Sequence, residues 1–311
     1  MNAIRSVSLA IPTLIGVVTI VFFIMRVIPG DPILAMYGGE AANQVVIQKL
    51  RESMGLNRPL AIQYFDYLRK AVSGDLGISL RTNQPVAAEI LEVFPHTLAL
   101  GLGGIFIAVI VGVPLGVLAS VYRGSKFDYL SMLVALVGVS MPIFWTGILL
   151  MIVFAVTLQW LPLMGAGEAG AADFVIHLIL PALALGLAGA GWIARITRSS
   201  MLDVLYQDYI RTARAKGVSE WSVTFRHAFK NALPPIVTII GVLLARLLGG
   251  AIVTEIIFAR PGLGKLLVDA ILQRDYPQVQ ATVTFFAVIV ILVNVLVDIS
   301  YTLLNPRVRD G

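Results

Sequence analysis

The chain has 311 residues, of which 58% are hydrophobic and 13% charged, with a net charge of +5 and no cysteine; its mean hydropathy is +0.88. A disordered chain is polar and highly charged, and a soluble enzyme needs more polar cover than this, so both classes are excluded. The missing thiols also remove disulfides, thiolate metal sites and cysteine nucleophiles.

A helix that crosses a membrane needs about 20 mostly apolar residues. Six stretches qualify. The first is Val7 to Met25. It is too long for a signal-peptide core, and Arg26–Val27–Ile28–Pro29 stands where small residues would mark cleavage, so it reads as a retained helix. Residues 28–95 then form an outer segment. Ala41 to Met54 reads as a helix ended by Gly55. Pro59 starts a second helix, with Leu60, Tyr64, Tyr67 and Leu68 roughly on one face. Gly74–Asp75–Leu76–Gly77–Ile78–Ser79 reads as a turn. This segment either receives a soluble partner or packs over the helix ends.

The second span is Thr97 to Tyr122. The third lies in the uncharged run Tyr129 to Gly167, which contains a Ser140–Met141–Pro142 break and a Trp160–Pro162 end. The fourth is Phe174 to Ala194. Between it and the fifth lies Arg195 to Lys230. Ser199 to Lys216 reads as helix, capped by Gly217, and Ser219 caps a second helix with Glu220 in its first turn. Trp221, Phe225, Ala228, Phe229 and Ala232 fall at helical spacing on one side of that second helix, and Thr212, Ala213, Ala215 and Gly217 crowd the corner. A corner of small residues admits the close approach of another protein. The five basic residues from Arg211 to Lys230 equally allow a surface helix on anionic lipid. The fifth span, Asn231 to Thr254, carries one charge, Arg246, and the sixth is Tyr276 to Val297. Gly112 and Gly116 in the second span, with Ala182, Gly186 and Ala190 in the fourth, allow close helix approach within the subunit or at a sliding interface. Pro114, Pro142 and Pro181 mark kinks.

Six spans put both termini on one side. That side carries Arg5, Arg123, Lys126, Arg195, Arg198, Arg211, Arg214, Lys216, Arg226, Lys230, Arg307 and Arg309, whereas the opposite short loops carry Arg260, Lys265 and Arg274. Lys and Arg are retained inside, so both termini and the 195–230 segment are expected in the cytoplasm and the 28–95 segment outside. Topology thus accounts for the basic pI without a nucleic-acid partner. The expected organisation is 1–27 as N-terminus and first helix, 28–95 as outer segment, 96–305 as a five-helix membrane domain with the 195–230 loop, and 306–311 as cytoplasmic C-terminus.

No catalytic constellation stands out. Arg260–Pro261–Gly262–Leu263–Gly264–Lys265–Leu266 lacks the leading Gly and the final Ser or Thr of a phosphate-binding loop, and His96, His177 and His227 are far apart. The chain is therefore read as a non-enzyme with no metal or cofactor of its own. Charges at bilayer depth point to function. Arg246 lies 15 residues past Asn231, about 22 Å along a helix. It is a candidate, with Glu255, for a translocation pathway that meets a substrate's negative end. Otherwise it forms an ion pair with Glu255 or Asp298, or snorkels to the interface. Asp298 itself reads as interfacial.

The order of several motifs resembles the inner-membrane permeases of ABC importers, in the dipeptide, oligopeptide and nickel branch. They are Ile28–Pro29–Gly30–Asp31–Pro32, Gly74 to Ser79, Asp208–Tyr209–Ile210–Arg211–Thr212–Ala213–Arg214–Ala215–Lys216–Gly217 with His227 and Asn231–Ala232, Pro261–Gly262–Leu263–Gly264, Arg274–Asp275–Tyr276–Pro277 and Asn305–Pro306–Arg307. The resemblance implies an all-α membrane protein with the six-helix fold of type I importers. It identifies Arg211, Thr212, Ala213, Arg214, Ala215, Lys216 and Gly217 with the family's "EAA" loop, whose coupling helix seats in an ATPase. Arg211 occupies the position of the family's Glu, and the spacing from Gly217 to Pro235 is long, as in the peptide branch. The resemblance further implies a second, related permease, two ATP-binding subunits that hold ATP and Mg, an extracytoplasmic substrate-binding protein, a short peptide as cargo and a bacterial inner membrane. The competing reading is a secondary transporter driven by an ion gradient. It would favour an internal repeat with broken helices and a midplane carboxylate pair; the sequence displays no convincing repeat, and the Ser140–Met141–Pro142 break is not matched elsewhere.

Overall fold

The structure, a computed structural model, describes residues 3–27, 48, 51–52 and 55–304, with side chains described only from residue 10 to residue 297. The helices are α1 (Ala3–Val27), α2 (Leu60–Val72), α3 (Val86–Val121), α4 (Lys126–Ser140), α5 (Ile143–Leu150), α6 (Ala171–Leu205), α7 (Asp208–Ala215), α8 (Lys230–Ile257), α9 (Leu263–Leu272) and α10 (Tyr276–Leu304). A π-helical stretch, Met151–Thr157, extends α5. A short turn, Glu220–Ser222, and a second π stretch, Val223–Phe229, lead into α8. Among the described residues the β pairing is one isolated bridge, Ile78 with Pro85. The motifs Ile28–Pro32 and Asn305–Arg307 lie outside the described residues, as does most of the helix expected over Ala41–Met54.

Five helical stretches are long and apolar enough to cross a membrane, and α4 with α5 forms a sixth candidate bent by 105°. The bend has a local cause. Met141, the residue before Pro142, leaves the helix with φ −75° and ψ 130°, the extended conformation that a following proline imposes. The expected kink at Pro142 is thus a full break, while α3 runs on through Pro114 and α6 through Pro181.

The chain divides into two compact units. The first comprises Met1–Ser6, His96–Pro261 and Val293–Gly311. Its centre is α6, against which α4, α5 and α8 pack. Three layers of core run along it: Leu100, Leu185 and Ala251, then Ala108, Ile193 and Leu243, then Val117, Met201 and Ile236. Each layer takes one residue from α3, α6 and α8, about eight residues or two turns apart. The glycines let α3 and α6 touch backbone to backbone. A Cβ on Gly112 would lie 2.7 Å from the Ala190 carbonyl oxygen, and one on Gly116 2.5 Å from that of Ala194. The small-residue stripes therefore serve packing within this subunit.

The same register settles the number of crossings. Gly104, Gly112 and Gly116 meet Leu185, Ala190 and Ala194 in ascending order, so α3 and α6 are parallel. A chain that leaves α3 at one end and enters α6 at the other must traverse the bundle between them. The α4–α5 pair is that single traverse, and the described spans number six.

The second unit comprises Val7–Pro95 and Gly262–Leu292. Here three motifs far apart in sequence meet. Ser79 Oγ donates to Asp275 Oδ2 at 2.6 Å, and the Arg81 amide donates to the same oxygen at 3.3 Å. Asp275 Oδ1 accepts the Gln278 amide at 3.2 Å and so caps α10. Leu263, from Pro261–Gly264, packs with Val86, Ile90 and Ala281. That apolar stripe explains why α3 begins at Val86, ahead of the first uncharged residue used to predict the span.

Candidate functional site

The helix expected over Ser199–Lys216 is interrupted. α6 ends at Leu205, Gln207 turns extended, and α7 begins at Asp208. Leu205 and Ile210 share one buried cluster with Val117, Met201, Val223, Ala228, Ala232 and Ile236. In a continuous helix five residues turn through 140°, so both could not face that core. The break redirects Ile210 inward. It leaves Arg211, Thr212, Arg214, Ala215, Lys216 and Gly217 exposed and Ala213 partly so. Gly217, at φ +78°, ends α7 in the left-handed conformation. Its amide donates to the Arg214 carbonyl at 2.9 Å, and the Val218 amide donates to that of Ala213 at 3.2 Å. Across the corner Arg214 Nε and Nη2 donate to the two Glu220 carboxylate oxygens at 2.9 and 3.2 Å. Ser219 is the N-cap by backbone only, since its side chain makes no capping bond.

The next stretch departs from the sequence reading in a second way. Trp221 and Phe225 are exposed, with ring centroids 4.1 Å apart, while Ala228 and Ala232 are buried. The π stretch between them has wider turns than an α-helix. It separates the aromatic pair from the apolar stripe that α-helical spacing puts on the same side. Asn231 Nδ2 donates to the Tyr209 hydroxyl at 3.1 Å and ties α8 to α7.

Sequence reasoning missed the anchor behind this loop. Asp128, buried in the first turn of α4, accepts Arg198 Nε at 2.6 Å and Nη2 at 2.7 Å. The Gly124 amide donates to Asp128, and the Asp128 amide donates to Ser125 Oγ. The signal was present as Ser125-x-x-Asp128 ahead of an apolar run, a helix-start pattern. Arg123 lies over the Tyr206 ring at 5.1 Å, at the α6–α7 break.

The two pathway candidates do not come together. Arg246 and Glu255 are nine residues apart on α8, so they lie on opposite sides of it. Arg246 is exposed on a face with Val242, Gly249 and Val253. Glu255 is fully buried and accepts Thr97 Oγ1 at 2.6 Å. The charge near Glu255 is Arg260, whose backbone amide donates to the Glu255 carbonyl at 2.8 Å and whose guanidinium lies over Phe174 at 4.7 Å. Arg260 is fully buried, and its three guanidinium nitrogens meet no acceptor among the described residues. Burial pushes its pKa down, and the Glu255 carboxylate opposes that shift. An ion pair of Arg246 with Glu255 is thereby corrected. The Asp298 side chain lies outside the described residues.

Six membrane crossings among the described residues, with a short helix fixed to the core through buried Ile210, define a multi-pass membrane protein. The fold is similar to that of the inward-facing MetNI methionine ABC transporter, with a TM-score of 0.61 at 18% identity over 71% of this chain and 98% of that one. Residues 112–310 match the binding-protein-dependent transport system inner membrane component family, and residues 3–101 match the N-terminal part of such components. The chain belongs to that family and is a multi-pass inner-membrane permease subunit of an ABC importer. It is 45% identical to the di/tripeptide transport system permease DppB of Pseudomonas aeruginosa, over 98% of this chain and 97% of that one. It is 43% identical, with the same coverage, to the dipeptide transport system permease DppB of Escherichia coli. It is 46% identical to the glutathione transport system permease GsiC of Escherichia coli, over 96% of this chain and 95% of that one. The ion-gradient reading is not favoured by these relationships.

Proposed function

We propose that the chain carries a short peptide into the cytoplasm by alternating access, with Arg211 to Gly217 seated on an ATP-binding subunit. The observation that supports this most directly is the construction of α7. One side is fixed to the subunit's own core through Ile210, and the other presents Arg211, Thr212, Arg214 and Lys216 outward. A helix held this way moves as a rigid body with whatever grips its outer side, which is what coupling requires. The peptide cargo rests on the relatives named above. The basic residues on the α7 side favour cytoplasmic termini. The complete machine pairs this chain with a related but different permease, two ATP-binding subunits that hold ATP and Mg, and an extracytoplasmic binding protein.

Arg246 is proposed to line the pathway on the exposed face of α8, where a guanidinium suits a peptide carboxylate. Glu255 is assigned a supporting role at the end of α8. The test is affinity isolation from native membranes, followed by reconstitution and uptake of a labelled dipeptide. Co-isolation of a second six-span subunit and two ATPases, with uptake that needs ATP, is expected. Isolation of this chain alone in several detergents, or uptake without ATP, refutes the reading.

A further inference from the structure

The short helix α2 does not behave as part of a water-soluble cap. Tyr64 shares a 2.6 Å hydrogen bond with Thr19, and its ring packs on Phe22 at 5.2 Å and Phe23 at 6.1 Å. Gln63 Oε1 accepts from Arg26 Nε at 3.1 Å. Thr19 lies inside the apolar span Ala10–Val27, eight residues before its end, about 12 Å along the helix axis. A tyrosine side chain is too short to reach that depth from a helix held clear of the membrane. α2 therefore lies against the terminal turns of α1, at the level of the boundary between headgroups and acyl chains.

The opposite side of α2 has no cover among the described residues. Ile62, Phe65, Arg69 and Val72 follow one another at helical spacing, and all four are exposed, Phe65 by 68%. Phe23, Ile20 and Ile24 on α1 are exposed as well, and Phe65 packs on Tyr64 at 5.7 Å, which stacks on Phe23 at 6.1 Å, so Phe65 extends an apolar surface of a helix long enough to span. The acid on α2, Asp66, is neutralised by Arg58 at 3.0 Å, whereas Arg69 stands exposed within the stripe, between Phe65 and Val72, and Lys70 is exposed at its edge. Large apolar residues among basic ones whose long stems let the charge rise to headgroups are the pattern of a helix lying in a membrane surface.

We infer that α2 is an interfacial membrane helix, with Ile62, Phe65 and Val72 among lipid acyl chains and Arg69 and Lys70 at phosphate headgroups. The occupant is lipid because the face adjoins the exposed apolar side of α1, through Phe65, Tyr64 and Phe23, and carries basic residues suited to phosphate headgroups; the inference holds for either orientation of the chain. It makes α2 a strut that clamps α1, through Tyr64 and Gln63, and α10, through the 2.9 Å Tyr67–Thr284 hydrogen bond.

The absence of native cysteine makes the test direct. The full chain is reconstituted in phosphatidylethanolamine–phosphatidylglycerol vesicles with a nitroxide at F65C, at E168C, exposed in the loop before α6, as water reference or at F106C as mid-span reference. Collision rates with oxygen, which concentrates among acyl chains, and with a water-soluble nickel chelate are then measured. The oxygen-to-nickel ratio at position 65 is expected several-fold above that at 168 and near that at 106. A nickel-accessible label at 65 overturns the inference, because the face is then in water. Low accessibility to both reagents also overturns it, because protein then covers the face.

Discussion

The Asp128–Arg198 pair offers the sharpest test of how the loop is anchored. Asp128 has 3% of its side chain exposed and Arg198 has 26%, so the two partners are not equivalent. In Arg198→Met the carboxylate stays buried with only the Gly124 amide to receive it. Removing one partner of a buried pair costs about 3–5 kcal/mol, and the quarter exposure of Arg198 places this change near 3 kcal/mol. In Asp128→Asn the guanidinium can turn to water, and the side-chain oxygen still accepts from Gly124. The loss is then about that of a hydrogen bond to a charged group, roughly 1.5–3 kcal/mol, at the lower end. The double variant has no stranded charge and is expected to be more stable than Arg198→Met alone. The measurement is reversible unfolding of the full chain in mixed micelles, followed by tryptophan fluorescence, as a double-mutant cycle. If Arg198→Met costs no more than Asp128→Asn, or if the two add within about 0.5 kcal/mol, the pair is not the buried anchor described.

Three further outcomes are expected. Gly116→Ala pushes a methyl against the Ala194 carbonyl oxygen and Thr197 and should cost about 1–3 kcal/mol, whereas Gly249→Ala meets nothing within 4 Å and should gain up to about 1 kcal/mol as a helix-interior replacement; melting temperatures of the two variants in micelles compare them. Ile210→Ala empties the socket of α7 and should lower peptide transported per ATP hydrolysed more than it lowers hydrolysis, and an unchanged ratio in proteoliposomes argues against α7 as the coupling element. Glu255→Gln and Arg260→Met should each destabilise by leaving the other's charge buried without its counter-charge, while the double variant recovers part of the loss; chemical-denaturant midpoints decide it, and simple additivity would show that the two charges do not compensate each other.

The sequence by itself determined the membrane class, the positions of the spans and the motifs, because those depend on hydropathy and local chemistry. Uncharged runs long enough to cross a bilayer cannot be hidden in water, and Pro142 breaks its helix through a clash with its immediate neighbour. The corner at Gly217 was legible for the same reason, since a left-handed residue after a helix is a local matter. Tertiary structure decided where side chains point once those local rules leave a choice. The break at Tyr206–Gln207 exists because Leu205 and Ile210 must both reach one core. The early start of α3 exists because Val86 and Ile90 pack on Leu263 and Ala281 despite the charge of Glu89 between them. Arg246, the charge the sequence singled out, stands exposed and apart from Glu255, whereas Asp128, Arg198 and Asp275, for which the linear reading gave no contact, make the polar bonds that tie helices together. Each of these depends on partners tens to hundreds of residues away, and only the packed helices bring such partners within hydrogen-bonding distance.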